Sequence, residues 1–209
     1  MVYRVVTIAR ECGSGGGSIG RLLGKRLGWN VLDRSLISEV ARIAQVDPRL
    51  AERYDECIDS WLYRVSRRAL WHGAFEGVAS PAEASVFDAR SMAEIVARVI
   101  REAAESGSCV IVGRGGQCLL QEREDVFHTY IYAPLRERIR RLQQRGWPEE
   151  EMDAEQYIEA TDQRRAECIR QHFQQEWTNR HLYHLMISSS LGEERVAEAV
   201  ITAMEEKRA

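Results

Sequence analysis

Lysine is almost missing from this chain. Of 29 basic residues only Lys25 and Lys207 are lysines, and the rest are arginines. Long apolar runs are missing too: none approaches the ~18–20 residues of a membrane-spanning helix, so no membrane is expected as a partner. The first residues show no basic head, long apolar stretch and small-residue cleavage site, so the expected compartment is the cytoplasm. The five cysteines (Cys12, Cys57, Cys109, Cys118 and Cys168) are odd in number and scattered, with no C-x-x-C pair. That excludes a disulfide framework and reads as reduced, mostly core thiols. Charge of one sign is not in excess either. The 32 acidic residues leave a net charge of −3, which argues against a protein that holds nucleic acid by electrostatics. Repeats, low-complexity tracts and Gly/Ser linkers are absent, so no domain boundary is marked.

What is present is 209 residues with 44% hydrophobic and 29% charged side chains. A chain of this length buries roughly 70% of its unfolded surface and fits one large domain, or one core with an inserted lid. Val2–Ala9 is short and rich in β-branched residues and runs straight into glycines, the pattern of a buried strand entering a loop. Ile19, Leu22, Leu23 and Leu27 then form a helical stripe stopping at Gly28. Val31–Leu32 reads as a short strand, with Asp33 and Ser35 as candidate caps for a following helix. The pattern from Pro48 to about Gly77 is helical. Residues 88–105 carry the clearest stripe (Met92, Ile95, Val96, Val99, Ile100, Ala103) and lead into a strand at Cys109–Val112. Another strand is expected at His128–Ala133, then a helix opened by Pro134. A polar helix over 153–175, a strand at Leu185–Ser188 and a closing helix complete the chain. Apolar strands alternating with helices imply a parallel sheet covered on both faces. Ligands of such sheets bind beyond the strands' carboxyl ends, so the segments 10–18, 33–34 and 113–116 are expected to line one crevice.

Residues 13–17 hold four glycines in five positions. Such a run is costly unless the backbone needs positive φ or close approach to a ligand. A loop of successive N–H groups ending at a helix N-terminus is an anion cradle. A plain strand–helix turn needs fewer glycines. The dinucleotide pattern G-x-G-x-x-G fits Gly15-x-Gly17-x-x-Gly20 in letters, but Asp33 is poorly placed as its acidic partner. A phosphate-binding P-loop fits better, with a break at its charged residue, where Gly16 stands for the lysine; Arg10 stands where its first glycine belongs. The cradle of amides and a hydroxyl, Ser14 or Ser18, survives that break.

Several segments together resemble the cytidylate kinase-like family of P-loop proteins. They are Ile8-Ala9-Arg10-Glu11-Cys12-Gly13-Ser14-Gly15-Gly16, Leu32-Asp33-Arg34-Ser35-Leu36-Ile37, Cys109-Val110-Ile111-Val112-Gly113-Arg114-Gly115, Ile131-Tyr132-Ala133-Pro134-Leu135 and Asp162-Gln163-Arg164-Arg165-Ala166. The resemblance implies a three-layer α/β/α P-loop kinase-like parallel sheet forming a single domain. Its core would be residues 1–34, 81–145 and 181–209, with a helical acceptor-binding insert at about 35–80 and a lid at about 146–180. Cys12 stands where an aromatic is expected and Gly17 where a charged residue is common. Val112 and Gly115 replace the two aspartates that flank Gly113-Arg114 in authentic cytidylate kinases, which bears on cytosine recognition.

The chemistry the resemblance implies is transfer of the γ-phosphate of ATP to a nucleoside monophosphate, with CMP or dCMP foremost. The amides of Gly13, Ser14, Gly15, Gly16, Gly17 and Ser18 would hold the donor phosphates. Mg2+ would bridge them, with the Ser18 hydroxyl as its protein ligand. With no lysine in the loop, arginines must supply the charge. Arg164 and Arg165 would close over the transferred group, Arg114 would serve catalysis as a ligand of the acceptor's phosphate, and Asp33, Arg34 and Arg170 would also hold the acceptor. Two other readings stand beside this one: a nucleotide-binding sensor or assembly protein on a degenerate kinase fold, and a kinase of a non-nucleotide metabolite. A monomer or homodimer is expected. Arg138, Arg141 and Arg145 share one helix face and read as a solvated face, and Glu11 reads as the partner of Arg10. His128 and His184 read as strand-end packing, and Trp61, Trp71, Trp147 and Trp177 as core, Trp71 being the one to test for base stacking.

Overall fold

The computed structural model describes residues 3–33, 89–146 and 153–205. The chain divides into two compact units, Met1–Val31 with Ser108–Ala209, and Leu32–Gly107. Arg34, the segment 35–80 and Trp61, Trp71 and Trp147 lie outside the described residues.

The first unit is built on β1 (Val5–Arg10), whose residues Val5–Ala9 are buried whichever way they point. A strand with both faces apolar belongs inside a parallel sheet, and β1 takes the middle position. The sheet has five strands in the order β2-β3-β1-β4-β5, with β2 Asn30–Leu32, β3 Cys109–Val112, β4 Val126–Tyr132 and β5 Leu185–Ser188. Val5–Ile8 pair in parallel with Cys109–Val112, and Val5–Arg10 with Val126–Ile131. That second register explains why β4 starts at Val126, earlier than its apolar alternation suggests: Val126 is the partner of Val5.

Helices cover both faces. On one, Val6, Ile8, Val110, Val112, Phe127 and Ile131 pack against Ile19 and Leu23 of α1 (Gly16–Leu27). Val196, Ala197 and Val200 of the closing helix Glu193–Glu205 join the same core. Ile8, Ile19 and Leu23 are fully buried, each contributing about 1.5–3 kcal/mol. On the other face, Ala9 and Tyr130 meet Ile169 and Trp177, so Trp177 is core as expected. The result is a three-layer α/β/α unit. His128 is not at a strand end: it lies within β4, buried, and shares a 2.7 Å hydrogen bond with Thr7 Oγ1.

In the second unit, helix α2 (Ala89–Ser106) follows the expected stripe, with Val96, Val99, Ile100 and Ala103 buried. Back in the first unit come α3 (Gly116–Leu119), α4 (Leu135–Gln143), α5 (Ala154–Phe173) and α6, the closing helix (Glu193–Glu205). Among the described residues no helix is long and apolar enough to cross a membrane.

Candidate active site

The glycine loop leaves the carboxyl end of the central strand. Glu11 N–H extends the ladder to Ile131 O at 3.1 Å, after which the chain turns sharply. Ser14 closes that turn, its backbone N–H and its hydroxyl both donating to Glu11 O, at 3.2 and 2.9 Å. Gly13 and Gly15 sit at φ 76° and 84°, the left-handed region where a side chain costs about 1–2 kcal/mol. Gly15 is the N-cap of α1, and its carbonyl accepts from Ile19 N–H at 3.0 Å. No side chain caps this helix, and its first turn carries no acidic residue. The N–H groups of residues 16–18 therefore stand at a positive helix end without a partner inside the helix. That donor set, free of nearby carboxylates on its own helix, fits the phosphates of a nucleotide.

The outer side of the loop is held by α4 and α5. Arg138 Nη1 donates to Cys12 O at 3.4 Å and to Asp162 Oδ2 at 2.5 Å, and Arg138 Nε lies 3.6 Å from Glu11 Oε2. Arg141 Nη1 reaches Ser14 O at 3.3 Å and Ser189 Oγ at 2.8 Å. Asp162 Oδ1 accepts from Cys12 N–H at 2.7 Å. Arg138 and Arg141 are thus not a solvated face. Their side chains keep only 13% and 18% of their exposure because they satisfy the loop carbonyls of Cys12 and Ser14. Arg145, the third of the set, is exposed but touches Ser18 Oγ at 3.2 Å. Glu11 faces the Arg138 guanidinium and accepts from Ala133 N–H at 3.0 Å, so its charge is tied into the frame rather than aimed at the cradle. Cys12 is an apolar anchor: it packs with Leu142 and Ile158, and burial pushes its thiol up against the opposing pull of Arg165.

A second glycine turn follows β3. Gly113, Arg114 and Gly115 are all left-handed, at φ 82°, 56° and 68°. A Cβ on Gly115 would stand 2.5 Å from Phe173 Cε2, so the end of α5 occupies the space an aspartate would need there. A Cβ on Gly113 would overlap Arg10 Nη1, and one on Gly16 would stand 2.5 Å from Arg10 Cβ and 2.7 Å from its Cγ. The Arg10 side chain therefore runs from β1 past the start of α1 to the end of β3, joining the two turns.

Of the expected site residues, Gly13–Ser18 form the loop and the start of α1, with both Ser14 donors spent on Glu11 O, and Arg165 adjoins the loop, donating to Arg10 O at 2.8 Å and pairing with Asp162 at 3.2 Å. Arg164 is exposed and turned along its own helix, to Ala160 O and Thr161 Oγ1. Arg170 is exposed and paired with Glu176 at 3.2 Å. Arg114 is exposed on the 113–115 turn. Asp33 falls in the second unit and Arg34 outside the described residues. The Ser18 hydroxyl, expected to hold Mg2+, accepts from Arg145 Nη2 at 3.2 Å, and among the described residues no group of three His, Cys, Asp or Glu side chains gathers to hold a metal. Sequence reasoning missed Asp162, Arg138 and Arg141 as the frame of the loop. The available signal was topological: the helix after β4 must start beside a loop leaving β1, because those strands are neighbours.

Solved structures share this architecture. An uncharacterized protein from Eubacterium ventriosum superimposes with a TM-score of 0.69 at 17% identity, covering 96% of this chain and 98% of that one. Shikimate kinase from Acinetobacter baumannii, in complex with shikimate, gives 0.53 at 16% identity, over 99% and 95% of the two chains. Shikimate kinase from Bacteroides thetaiotaomicron gives 0.52 at 13%, over 97% and 96%. Among curated protein sequences none matches. The model of the cytidylate kinase-like family matches residues 5–191, strands β1 to β5 and both glycine turns included. The chain belongs to the cytidylate kinase-like family.

Proposed function

We propose that this protein is an ATP-dependent phosphotransferase acting on a small acceptor, with CMP and dCMP as the first acceptors to test. The observation that carries this reading is the uncapped glycine cradle held from outside by Arg138, Arg141 and Asp162. Those side chains bind the Cys12 N–H and the Cys12 and Ser14 carbonyls, and the N–H groups that start α1 carry no side-chain cap and would serve an anion. Phosphoryl transfer needs positioning and charge neutralisation more than covalent help, and a fixed loop supplies the first. The amides of Gly13 and Gly15–Ser18 would hold the β-phosphate of ATP, Ser14 N–H being spent on Glu11 O, and the Ser18 hydroxyl would be the residue to hold Mg2+, which would supply charge neutralisation. Arg165, at the loop, would stabilise charge on the transferred group, and Arg114 would hold the acceptor's phosphate. Arg164 and Arg170 would complete the set on the lid side, and Asp33 and Arg34 are proposed as acceptor ligands from the family resemblance alone. The acceptor oxygen attacks the γ-phosphorus as the bond to the β-bridging oxygen breaks, leaving ADP.

A second acceptor class is favoured by one observation. Phe173 and Ile169 fill the space at Gly115 where cytidylate kinases carry an aspartate, so a non-nucleotide hydroxyl acceptor is the alternative. A coupled assay of ADP release with CMP, dCMP, other nucleoside monophosphates and small hydroxy acids separates these readings. Turnover with CMP or dCMP supports the first and turnover with a hydroxy acid alone the second. Tight ATP binding with no turnover on any acceptor leaves a nucleotide-binding protein and overturns both.

A further inference from the structure

The loop lacks its lysine, yet the space that lysine would use is filled. A lysine at position 16 would set its Cβ 2.5 Å from Arg10 Cβ, so the two side chains exclude one another. Arg10 in turn stands where the P-loop pattern has its first glycine. The two positions have exchanged roles: a side chain rises from 10 over a bare 16, instead of from 16 over a bare 10. We propose that Arg10 supplies the positive charge of the missing lysine and contacts the phosphates of the donor nucleotide, an assignment that rests on the phosphotransferase reading above.

Two observations support it. The stem of Arg10 lies along Gly16, the first residue of α1, which places it at the same helix end as the cradle amides. The guanidinium lies over Gly113, at the carboxyl end of the neighbouring strand, where ligands of parallel sheets bind. Arginine brings a fork in place of a point charge, and it cannot be deprotonated at the helix end.

The test is nucleotide affinity by calorimetry on the full chain, with ATP, ADP and adenosine as probes. Arg10→Gln keeps much of the stem and removes the charge, and is expected to weaken ATP and ADP binding by roughly tenfold or more with adenosine unchanged. Gly16→Lys alone should lose binding because the introduced side chain collides with Arg10. The exchange variant Arg10→Gly with Gly16→Lys restores the ordinary pattern and should recover ATP affinity to within about threefold of the parent. Circular dichroism melting shows which variants fold, and the exchange variant keeps the test decisive if Arg10→Gln does not. Unchanged ATP affinity in Arg10→Gln, or a folded exchange variant that stays weak, overturns the Arg10 assignment alone. A parent protein that binds no nucleotide overturns the phosphotransferase reading and this assignment with it.

Discussion

Two glycine turns follow neighbouring parallel strands here, and they use glycine for different reasons. The 11–15 turn is bound on its outer side by another helix. A Cβ on Gly13 would stand 2.7 Å from Arg138 O and 2.9 Å from Arg138 Cβ, so glycine lets α4 lie directly on the loop. The 113–115 turn is crossed by side chains instead, Arg10 over Gly113 and Phe173 over Gly115. The first turn is a fixed scaffold whose amides keep their geometry. The second is a passage for long side chains, with a left-handed, exposed Arg114 at its tip. Backbone meets backbone in one, and flexible side chains meet backbone in the other. The two should therefore fail differently.

Gly13→Ala should show the larger failure. It combines a left-handed φ with a collision against the α4 backbone, which cannot swing aside, and should cost about 3 kcal/mol in urea unfolding. Gly113→Ala carries the same φ penalty but meets only the far end of Arg10, and should cost about half as much. Equal losses would erase the contrast between the turns.

Acid probes the strands from which both turns are hung. Burial in β4, aided by nearby His184, lowers the pKa of His128 to about 4. The folded value lies below the unfolded one of about 6.5, so protons favour unfolding. This part of the stability is fully present above about pH 6.5 and is lost as pH falls towards 4, by up to roughly 3 kcal/mol. Melting temperature measured across that range should drop in the parent and flatten in His128→Gln.

Asp162→Asn tests the clamp on the first turn. It leaves Arg138, with only 13% of its side chain exposed, short of its closest counter-charge, and should cost about 2 kcal/mol by thermal unfolding. The double variant Arg138→Met with Asp162→Asn should recover part of that loss. The smallest effect belongs to the second turn. Arg114→Gly relieves a left-handed residue at φ 56° and should raise stability by about 0.5 kcal/mol while lowering turnover. A variant that loses stability and keeps its turnover would remove Arg114 from the site.

The strands, the cradle and the family were legible because each rests on short-range chemistry. Uninterrupted apolar runs such as Cys109–Val112 have no place but a buried sheet, and four glycines in five positions demand an unusual backbone. The roles of Arg138 and Arg141 were not legible. Charge at every third or fourth helix position looks the same whether it faces water or another chain segment, and the carbonyls of Cys12 and Ser14 that receive it leave no trace in the letters. Glu11 reads by its neighbour as the partner of Arg10, whereas the fold ties it to Arg138 and Ala133. Adjacency in sequence is visible, and adjacency through α4 is not. Arg10 itself reads as a defect in a motif until Gly16 and Gly113 are seen to make room for it.

The central place of β1 also bears on how the molecule is made. β1 leaves the ribosome before the strands it pairs with, so both of its edges wait, one for Cys109–Val112 and one for Val126–Ile131. The glycine loop takes its final hydrogen bond through Ile131 O and its clamp from Arg138, both synthesised much later. Closing such distant contacts is slow, and until it is done the nascent chain presents an apolar strand with two open edges. The glycine loop is encoded well before the strand and helix that clamp it, so translation stalled before β4 would release a chain prone to aggregate.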